Sequence, residues 1–423
     1  MKRPFEILMI WLCFLSASRL AADDWTRFRG PGGSGSSQQT GLPLTWSETE
    51  NIVWRAALPG YGASSPVTSG GRIFLTGYSG YGTDQTDSAA KADLVQHVFS
   101  LDRADGRLLW DRTSPANDEE QDYKSYIALH GYASHTPVTD GRAVFAFFGS
   151  SGVVAYDVAG DHLWTAKVGA GTHGFGTASS PVLYDDLVII NASVESGSVV
   201  ALSKTTGKEV WRAGGIQSAW NTPVLVSVKD GEKELVIHCQ GQILGFDPVT
   251  GKQLWNYQTG KGSYICPSVV AVDGVVYAIC GRDGKVVAVR AGGRGDVTET
   301  REVWSSQGSS NVPSPVFHGG YLYWISDTGI AHCLDAALGA SVYQKRLGNT
   351  DRVYASVVSA DGRLYAVTRQ RGTFVLSAGP EFEQLAHNAI AGDGSIFNAS
   401  PTVSNGHLLL RSDKYLYCIG QSR

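Results

Sequence analysis

The stretch GFDPVTGKQLWNYQTG, residues 245–260, decides the fold of this chain. A short strand reaches an Asp, a Thr-Gly turn reverses the chain, and a second strand carries a Trp four residues after the turn glycine. Glycine tolerates the positive φ of such a turn, and the Asp side chain accepts a turn N–H. The pattern recurs at 100–110 (SLDRADGRLLW), 155–164 (AYDVAGDHLW) and 201–211 (ALSKTTGKEVW). A repeated hairpin therefore organises the sequence.

A second hairpin precedes each copy and opens with a small residue next to proline. The openers are Ser65-Pro66, Thr136-Pro137, Ser180-Pro181, Thr222-Pro223, Cys266-Pro267, Ser314-Pro315, Ser400-Pro401 and, without proline, Tyr354-Ala355-Ser356. Successive prolines from Pro137 to Pro315 lie 44, 42, 44 and 48 residues apart. This spacing fits four short strands with tight turns. The sequence thus predicts an all-β protein, an eight-bladed β-propeller of four-stranded antiparallel blades.

Tryptophans keep the same period along the chain. They are Trp54, Trp110, Trp164, Trp211, Trp255 and Trp304. We expect these large rings to pack between neighbouring blades, where most of their surface is buried. Only two strands remain after the turn at Asn405-Gly406, and residues 51–58 (NIVWRAAL) form a strand with no hairpin partner. We therefore expect this N-terminal strand to close the last blade.

Three segments are predicted. Residues 1–22 have a basic start, an apolar run at 7–15 and small residues at the end, as a secretory signal does, and the run is too short to span a bilayer comfortably. Residues 23–50 are predicted to form an N-terminal arm that includes a Gly/Ser-rich surface loop. Trp25 and Phe28, which precede that loop, are expected to pin the arm to the propeller. Residues 51–423 form the propeller. We expect a secreted or periplasmic protein with no transmembrane segment in the mature chain.

Charge and cysteine content narrow the function classes. Removing residues 1–22 takes away three basic residues and Glu6, which leaves 32 basic and 38 acidic residues, a net charge of −6. This mild acidity argues against nucleic acid as a partner. Cys266 and Cys280 are predicted on opposite faces of their hairpin, so no disulfide framework follows.

The residues before each inner strand are the candidate site, because such tips meet at one mouth of a propeller channel. The candidates are His130, His135, His173, Trp220, Asn221, Tyr264, Asn311, Tyr354 and Asn398. They predict a polar, aromatic funnel for a small molecule or peptide. The alternative is that these groups satisfy strand ends and fill a narrow tunnel. No ligand spacing supports a metal position among the histidines, and no catalytic residue can be chosen.

The first blade carries the largest insertion, since Pro66 and Pro137 lie 71 residues apart. The extra residues fall at 83–93 and 114–129. Insertions on a repeat scaffold usually mark the functional face.

The repeated hairpin resembles that of pyrroloquinoline quinone (PQQ)-like propellers, a superfamily with quinoprotein alcohol dehydrogenases and BamB-like scaffolds. The start, Trp25-x-x-Phe28-Arg29-Gly30-Pro31, is similar to secreted bacterial members. The resemblance implies the blade architecture. In the dehydrogenases, a vicinal Cys-Cys disulfide lies against the quinone, with calcium-binding Glu and Asn and a catalytic Asp. This sequence has no adjacent cysteines and no match for those acids. PQQ with calcium is therefore possible but unsupported, and we expect no cofactor.

Three hypotheses follow. The first is a secreted or periplasmic, non-catalytic scaffold that binds a protein or a cell-envelope component at the insertion-bearing face. The second is a PQQ-dependent dehydrogenase with an atypical site. The third is an enzyme that acts on extracellular carbohydrate through the aromatic funnel.

Overall fold

A computed structural model describes residues 24–83, 89–260, 262 and 264–421. The predicted signal at 1–22 lies outside these residues, as does part of the first insertion. The strands form eight antiparallel sheets that follow one another along the chain. The predicted all-β, eight-bladed propeller is confirmed.

The first four blades each contain four consecutive strands. Blade 1 contains Val67–Ser69, Arg72–Ser79, Val95–Asp102 and Leu108–Pro115. Blade 2 contains Val138–Thr139, Ala143–Phe147, Val153–Asp157 and His162–Ala166. Blade 3 contains Val182–Tyr184, Leu187–Ala192, Ser198–Ser203 and Glu209–Gly214. Blade 4 contains Val224–Ser227, Lys233–Cys239, Gln242–Phe246 and Gln253–Gln258.

The remaining blades complete the ring. Blade 5 contains Val270–Val272, Val275–Ile279, Lys285–Arg290 and Glu302–Gln307. Blade 6 contains Val316–His318, Tyr321–Ile325, Ile330–Asp335 and Ser341–Arg346. Blade 7 contains Val358–Ala360, Arg363–Val367, Thr373–Ser377 and Gln384–Asn388. Blade 8 contains Thr402–Ser404, His407–Arg411 and Tyr415–Ile419, closed as predicted by Ile52–Ala57.

Helical segments are short. The α-helical turns are Ile127–His130, Ser193–Ser196 and Thr298–Arg301. The 3-10 turns are Pro31–Gly33, Lys91–Asp93, Gly149–Ser151, Lys229–Gly231 and Gly281–Asp283. No helix in the described part of the chain is long and apolar enough to cross a bilayer.

Glycine and tryptophan of neighbouring blades pack together, which explains why they recur as a pair. Each indole N–H of Trp110, Trp164, Trp211 and Trp304 donates to a carbonyl in the last turn of the next blade. A Cβ on the facing turn glycines (Gly160, Gly207, Gly251 and Gly339) would lie only 2.4–2.9 Å from these rings. Trp54 on the closing strand packs on Gly106 at the same close distance, but its buried indole N–H has no acceptor among the described residues. The repeat motif is therefore a contact between blades.

Trp255 departs from this pattern. Blade 5 joins its last two strands through a longer connection, and Gly295–Asp296 within it pairs parallel to Gln253–Gln258 of blade 4. Blade 4 thus gains a fifth strand that the sequence did not predict. Trp255 is fully buried, and its indole N–H donates to the carboxylate of Glu234 at 2.7 Å.

The N-terminal arm crosses one end of the channel. The backbone oxygen of Trp25 accepts from Thr68 of blade 1 at 3.0 Å, while Arg27 and Arg29 donate to the carbonyls of Pro223 and Pro315 in blades 4 and 6. The Gly/Ser-rich tract, predicted to be a surface loop, then pairs with blade 7 through Ser36 and Ser359. Trp25 is buried as expected. The arm therefore closes this end of the channel.

Candidate functional site

A ring of hydroxyl groups surrounds the channel where the inner strands begin. Seven backbone N–H groups each donate to the hydroxyl of the next blade at 2.9–3.0 Å. In chain order the members are Ser65, Thr136, Ser180, Thr222, Ser268, Ser314, Ser356 and Ser400. They coincide with the predicted openers except in blade 5, where Ser268 takes the place assigned to Cys266. The small residue is required because its hydroxyl must reach the neighbouring backbone.

A cavity of about 770 Å³ lies in the channel above this ring. All ring members except Thr136 line it, together with Phe28 of the arm, so the arm supplies part of the floor. The expectation that Phe28 only pins the arm is therefore incomplete. The volume lies within the range of about 300–1,000 Å³ that is usual for ligand pockets.

One wall of the cavity is aromatic. Phe175 is at its centre, with ring centroids 4.5 Å from Tyr126, 5.7 Å from Trp220 and 4.9 Å from Tyr264. The indole N–H of Trp220 donates to the carbonyl of Gly176 at 2.8 Å, which fixes that ring. Tyr126 belongs to the insertion after blade 1 and is 48% exposed at the mouth. The aromatic wall, Tyr126, Phe175, Trp220 and Tyr264, therefore combines the insertion with blades 3 to 5.

The opposite wall is polar and comes from blades 5 to 8. Its members are Arg282, Asn311, Asp327, Asp351, Arg352, Tyr354 and Asn398. Asn311 accepts from the Tyr264 hydroxyl at 2.7 Å, and Asp327 accepts from the backbone N–H of Asn311 at 3.1 Å. This polar wall therefore joins the aromatic wall through one hydrogen bond.

The insertion is held across the mouth by the far side of the ring. The carbonyl of Leu129 accepts from Arg369 at 3.0 Å and from Asn398 at 2.8 Å. Arg369 also lies over the Tyr354 ring, 5.0 Å from its centroid. These contacts make Leu129 and His130 part of the cavity wall.

Six of the nine predicted site residues line the cavity. They are His130, Trp220, Tyr264, Asn311, Tyr354 and Asn398. His173 is on the exposed rim, 5.0 Å from the Trp220 ring. His135 and Asn221, each 1% exposed, are buried below the wall, where His135 bonds Thr177 and Asn221 donates to backbone carbonyls. Burial places these two outside the site, because the strand tips do not all point inward.

Several wall residues escaped the sequence-based choice. Phe175 is in the stretch before blade 3, but nothing in the motif distinguishes it from its neighbours. Arg282 and Asp327 are in turns between the second and third strands of their blades, and Asp351 and Arg352 precede blade 7. A search of polar residues at all turns on this face would have found them.

Burial favours the neutral form of two histidines near the cavity, His130 and His135. The pKa of His130 is lowered, mainly by desolvation. Its Nε2 donates to the carbonyl of Phe175 at 2.9 Å, so its Nδ1 accepts from Ser134 at 2.6 Å. Burial lowers the pKa of His135 to about 3. Both side chains are thus structural hydrogen-bonding groups, His130 in the wall and His135 below it.

A second polar group ties three strands of blade 1 outside the cavity. His97 Nε2 bonds the hydroxyl of Ser79 at 2.7 Å, and its Nδ1 bonds Asp111 at 3.0 Å. These distances match those of a hydrolase triad. None of the three residues lines the cavity, however, and His97 is 6% exposed. We therefore assign the group to cross-strand stabilisation.

No group of three His, Cys, Asp or Glu side chains in the described ranges is arranged to hold a metal ion. The cysteines described, Cys239, Cys266, Cys280, Cys333 and Cys418, are all free thiols. Cys266 lines the cavity, and none of the other four described cysteines does. The residues present therefore do not fit a calcium-bound quinone held against a disulfide.

Comparison with known proteins identifies the relatives of this fold. The structure of BamB from Moraxella catarrhalis aligns with a TM-score of 0.61 at 15% identity, covering 88% of this chain and 97% of that one. Quinohemoprotein alcohol dehydrogenase from Comamonas testosteroni aligns with a TM-score of 0.67 at 13% identity, covering 95% of this chain and 81% of that one. The computationally designed protein Ika8 aligns with a TM-score of 0.59 at 14% identity, covering 87% of this chain and 100% of that one. Such low identities show a shared fold alone.

Sequence comparison shows the family. No curated protein matched the chain. The family profile of outer membrane protein assembly factor BamB matches residues 36–174 and 94–345, which together span most of the propeller. With its repeated hairpins and eight blades, the chain belongs to this family of PQQ-like β-propellers.

Proposed function

We propose that this protein is an exported, non-catalytic binding propeller that holds a protein or a cell-envelope component at the mouth of its channel. The observation that carries the proposal is the meeting of the insertion and the aromatic wall at one mouth. Tyr126 of the insertion packs on Phe175, and Leu129 is braced by two side chains of blades 7 and 8. The opposite end is closed by the arm. In the described part of the chain a ligand therefore enters at this mouth, and the first-blade insertion forms part of it.

The shared fold with BamB supports a binding role, and the shared fold with quinohemoprotein alcohol dehydrogenase favours the alternative, a PQQ-dependent dehydrogenase. The donor set of the cavity favours the first. Asp327 and Asp351 are its two carboxylates, and no described cluster of three potential ligands accompanies them. We therefore derive no step through a quinone.

Retention of an envelope component tests the proposal. The immobilised protein is exposed to a solubilised cell-envelope extract, and bound material is identified by mass spectrometry. Phe175→Ala removes the centre of the aromatic wall. Phe382→Ala is the matched control, because Phe382 is also half-buried but packs on Tyr343 in blades 6 and 7. We expect a component retained by the wild type and the control and lost by Phe175→Ala.

Equal retention by all three proteins would refute the mouth as the site. The alternative is tested by titration with pyrroloquinoline quinone, with and without calcium, followed by thermal melting and dye reduction. A saturable rise in melting temperature together with dye reduction would replace the binding proposal by the dehydrogenase.

A further inference from the structure

We infer that the cavity binds a neutral carbohydrate, a short glycan whose sugar ring lies against the aromatic wall. The inference rests on the proposed function, because it names the ligand class of the same site. Three features carry it: the two-sided wall, the mixed hydrogen-bonding groups and the balance of charge.

The cavity has one apolar side and one polar side. The apolar side is the aromatic wall, and the polar side is the polar wall of blades 5 to 8. A pyranose ring has the same division, with an apolar C–H face and a rim of hydroxyl groups. Aromatic rings contribute large, rigid apolar area to such a contact. The shape of the site therefore suits a ligand that is apolar on a face and polar at its edges.

The polar wall offers unpaired donors and unpaired acceptors side by side. Among described residues, the guanidinium groups of Arg282 and Arg352 have no hydrogen bond or ion pair within the protein, and Asp351 Oδ1 and Asn398 Oδ1 have no donor. Asn398 is 9% exposed, so its free oxygen is buried in the wall. A hydroxyl group both donates and accepts, and it can satisfy both kinds of group. A polycarboxylate only accepts and would leave the acidic oxygens unpaired.

Charge in the lining is balanced. The lining contains two positive side chains, Arg282 and Arg352, and two negative ones, Asp327 and Asp351. No sign dominates, so the cavity has no net attraction for a polyanion or a polycation. The two arginines are exposed at the wall and the two aspartates are partly buried, and together they favour a neutral ligand with many hydroxyl groups.

A peptide fits this cavity less well. Peptides commonly bind by adding a strand to a free sheet edge. Here the backbone N–H groups that precede the inner strands are already used by the hydroxyl ring. Recognition then depends on side chains, which are arranged for a compact polar ligand.

Calorimetric titration of the purified propeller with neutral oligosaccharides tests the inference. The probes are maltotetraose, cellotetraose, mannotetraose and chitotetraose, with oligogalacturonate, chitosan oligomer and a mixed-sequence tetrapeptide as comparison ligands. We expect saturable binding of at least one neutral tetrasaccharide, with the same affinity at low and high salt because no net charge is involved. Phe175→Ala should weaken it about tenfold or more, and Phe382→Ala should leave it unchanged.

Tyr126→Ala provides a second variant that does not endanger folding, because its ring is 48% exposed. It should also weaken binding, by a smaller factor. Binding of the acidic oligomer, the cationic oligomer or the peptide alone would overturn the carbohydrate inference. So would saccharide binding that is insensitive to both variants, or no binding of any probe. These results leave the proposed binding function to its own retention assay, so the two failures are distinguishable.

Discussion

At the residue scale, small side chains decide how the propeller is held together at its centre. Seven of the eight steps in the hydroxyl ring are hydrogen bonds of 2.9–3.0 Å. Ser65 Oγ is buried and accepts none. The ring is therefore complete everywhere except where blade 8 meets blade 1, the joint at which the chain ends are brought together.

The missing hydrogen bond between blades 8 and 1 makes it possible to compare a ring serine that accepts a hydrogen bond with one that does not. Ser356→Ala removes the acceptor of the Ser314 N–H, at 3.0 Å, and leaves a buried donor unpaired. Such a loss costs about 1–3 kcal/mol. Ser65→Ala makes the same chemical change at a hydroxyl that accepts nothing, and both serines are at most 3% exposed. Urea unfolding should show a lower midpoint for Ser356→Ala alone. Equal loss in both variants would show that the ring bond contributes nothing.

Glu195 makes stability depend on pH. Burial raises its pKa from 4.5 to about 7. Below pH 4.5 it is protonated in both folded and unfolded chains, and its contribution is fully present. Between pH 4.5 and 7 only the unfolded chain ionises, so stability falls as pH rises, by on the order of 3 kcal/mol in total.

Glu195→Gln removes this ionisation. The variant should unfold at a higher temperature than the wild type at pH 8, and the difference should vanish near pH 4.5. Glu119→Gln, at an exposed position, is the control and should follow the wild type. A wild-type-like pH profile for Glu195→Gln would contradict the assignment.

At the scale of elements, the repeated turn is the unit of blade-to-blade packing. At five joints the glycine of the last turn faces the tryptophan of the preceding blade, and at four of them the turn carbonyl accepts the indole N–H. Glycine serves two needs there: a positive φ and space for a ring. Where the connection is lengthened, as in blade 5, the tryptophan is covered by an added strand instead.

Two glycines with a similar positive φ make it possible to measure the cost of backbone strain and the cost of the ring contact separately. A Cβ on Gly207 (φ +69°) would lie 2.6 Å from the Trp164 ring, whereas Gly362 (φ +66°) has nothing within 4 Å. Gly362→Ala should cost about 1–2 kcal/mol of left-handed strain. Gly207→Ala should cost about 1–3 kcal/mol more, because the ring must move. Thermal unfolding and the emission of Trp164 measure both effects, and equal losses would rule out the ring contact.

At the scale of the whole molecule, the N-terminal segment has two separate roles. Residues 24–41 close one end of the channel, and Ile52–Ala57 completes blade 8. The closing strand joins the ends of a ring that is otherwise held by neighbouring contacts. Losing it would expose the edge of Tyr415–Ile419.

Two deletions distinguish the roles. Removing residues 24–41 should lower the unfolding temperature moderately and leave a monomeric propeller with a channel open at both ends. Removing residues 24–58 should abolish the cooperative transition or cause association through the free edge. Light scattering and calorimetry report both. A cooperative, monomeric transition after the longer deletion would disprove the closing role.

The features that could be predicted from the sequence are those that depend on local, repeated patterns. Blade number, blade closure and the tryptophan positions all follow from a motif repeated every 42 to 48 residues, because strand pairing and turn geometry depend on near neighbours in the chain. The members of the hydroxyl ring coincide with the predicted openers, including Ser356, which no proline follows, apart from the two-residue shift that puts Ser268 in the place of Cys266.

Only the tertiary structure decided the composition of the cavity. Phe28 reaches it because the arm crosses the channel, and Arg282 and Asp327 reach it from turns that no motif distinguishes. His135 shows the converse, since it has the right position in the repeat but is buried below the wall. The sequence by itself determined the blades, whose contacts are local and periodic. The site is set by the directions of side chains from distant blades, which become neighbours only when the ring is closed.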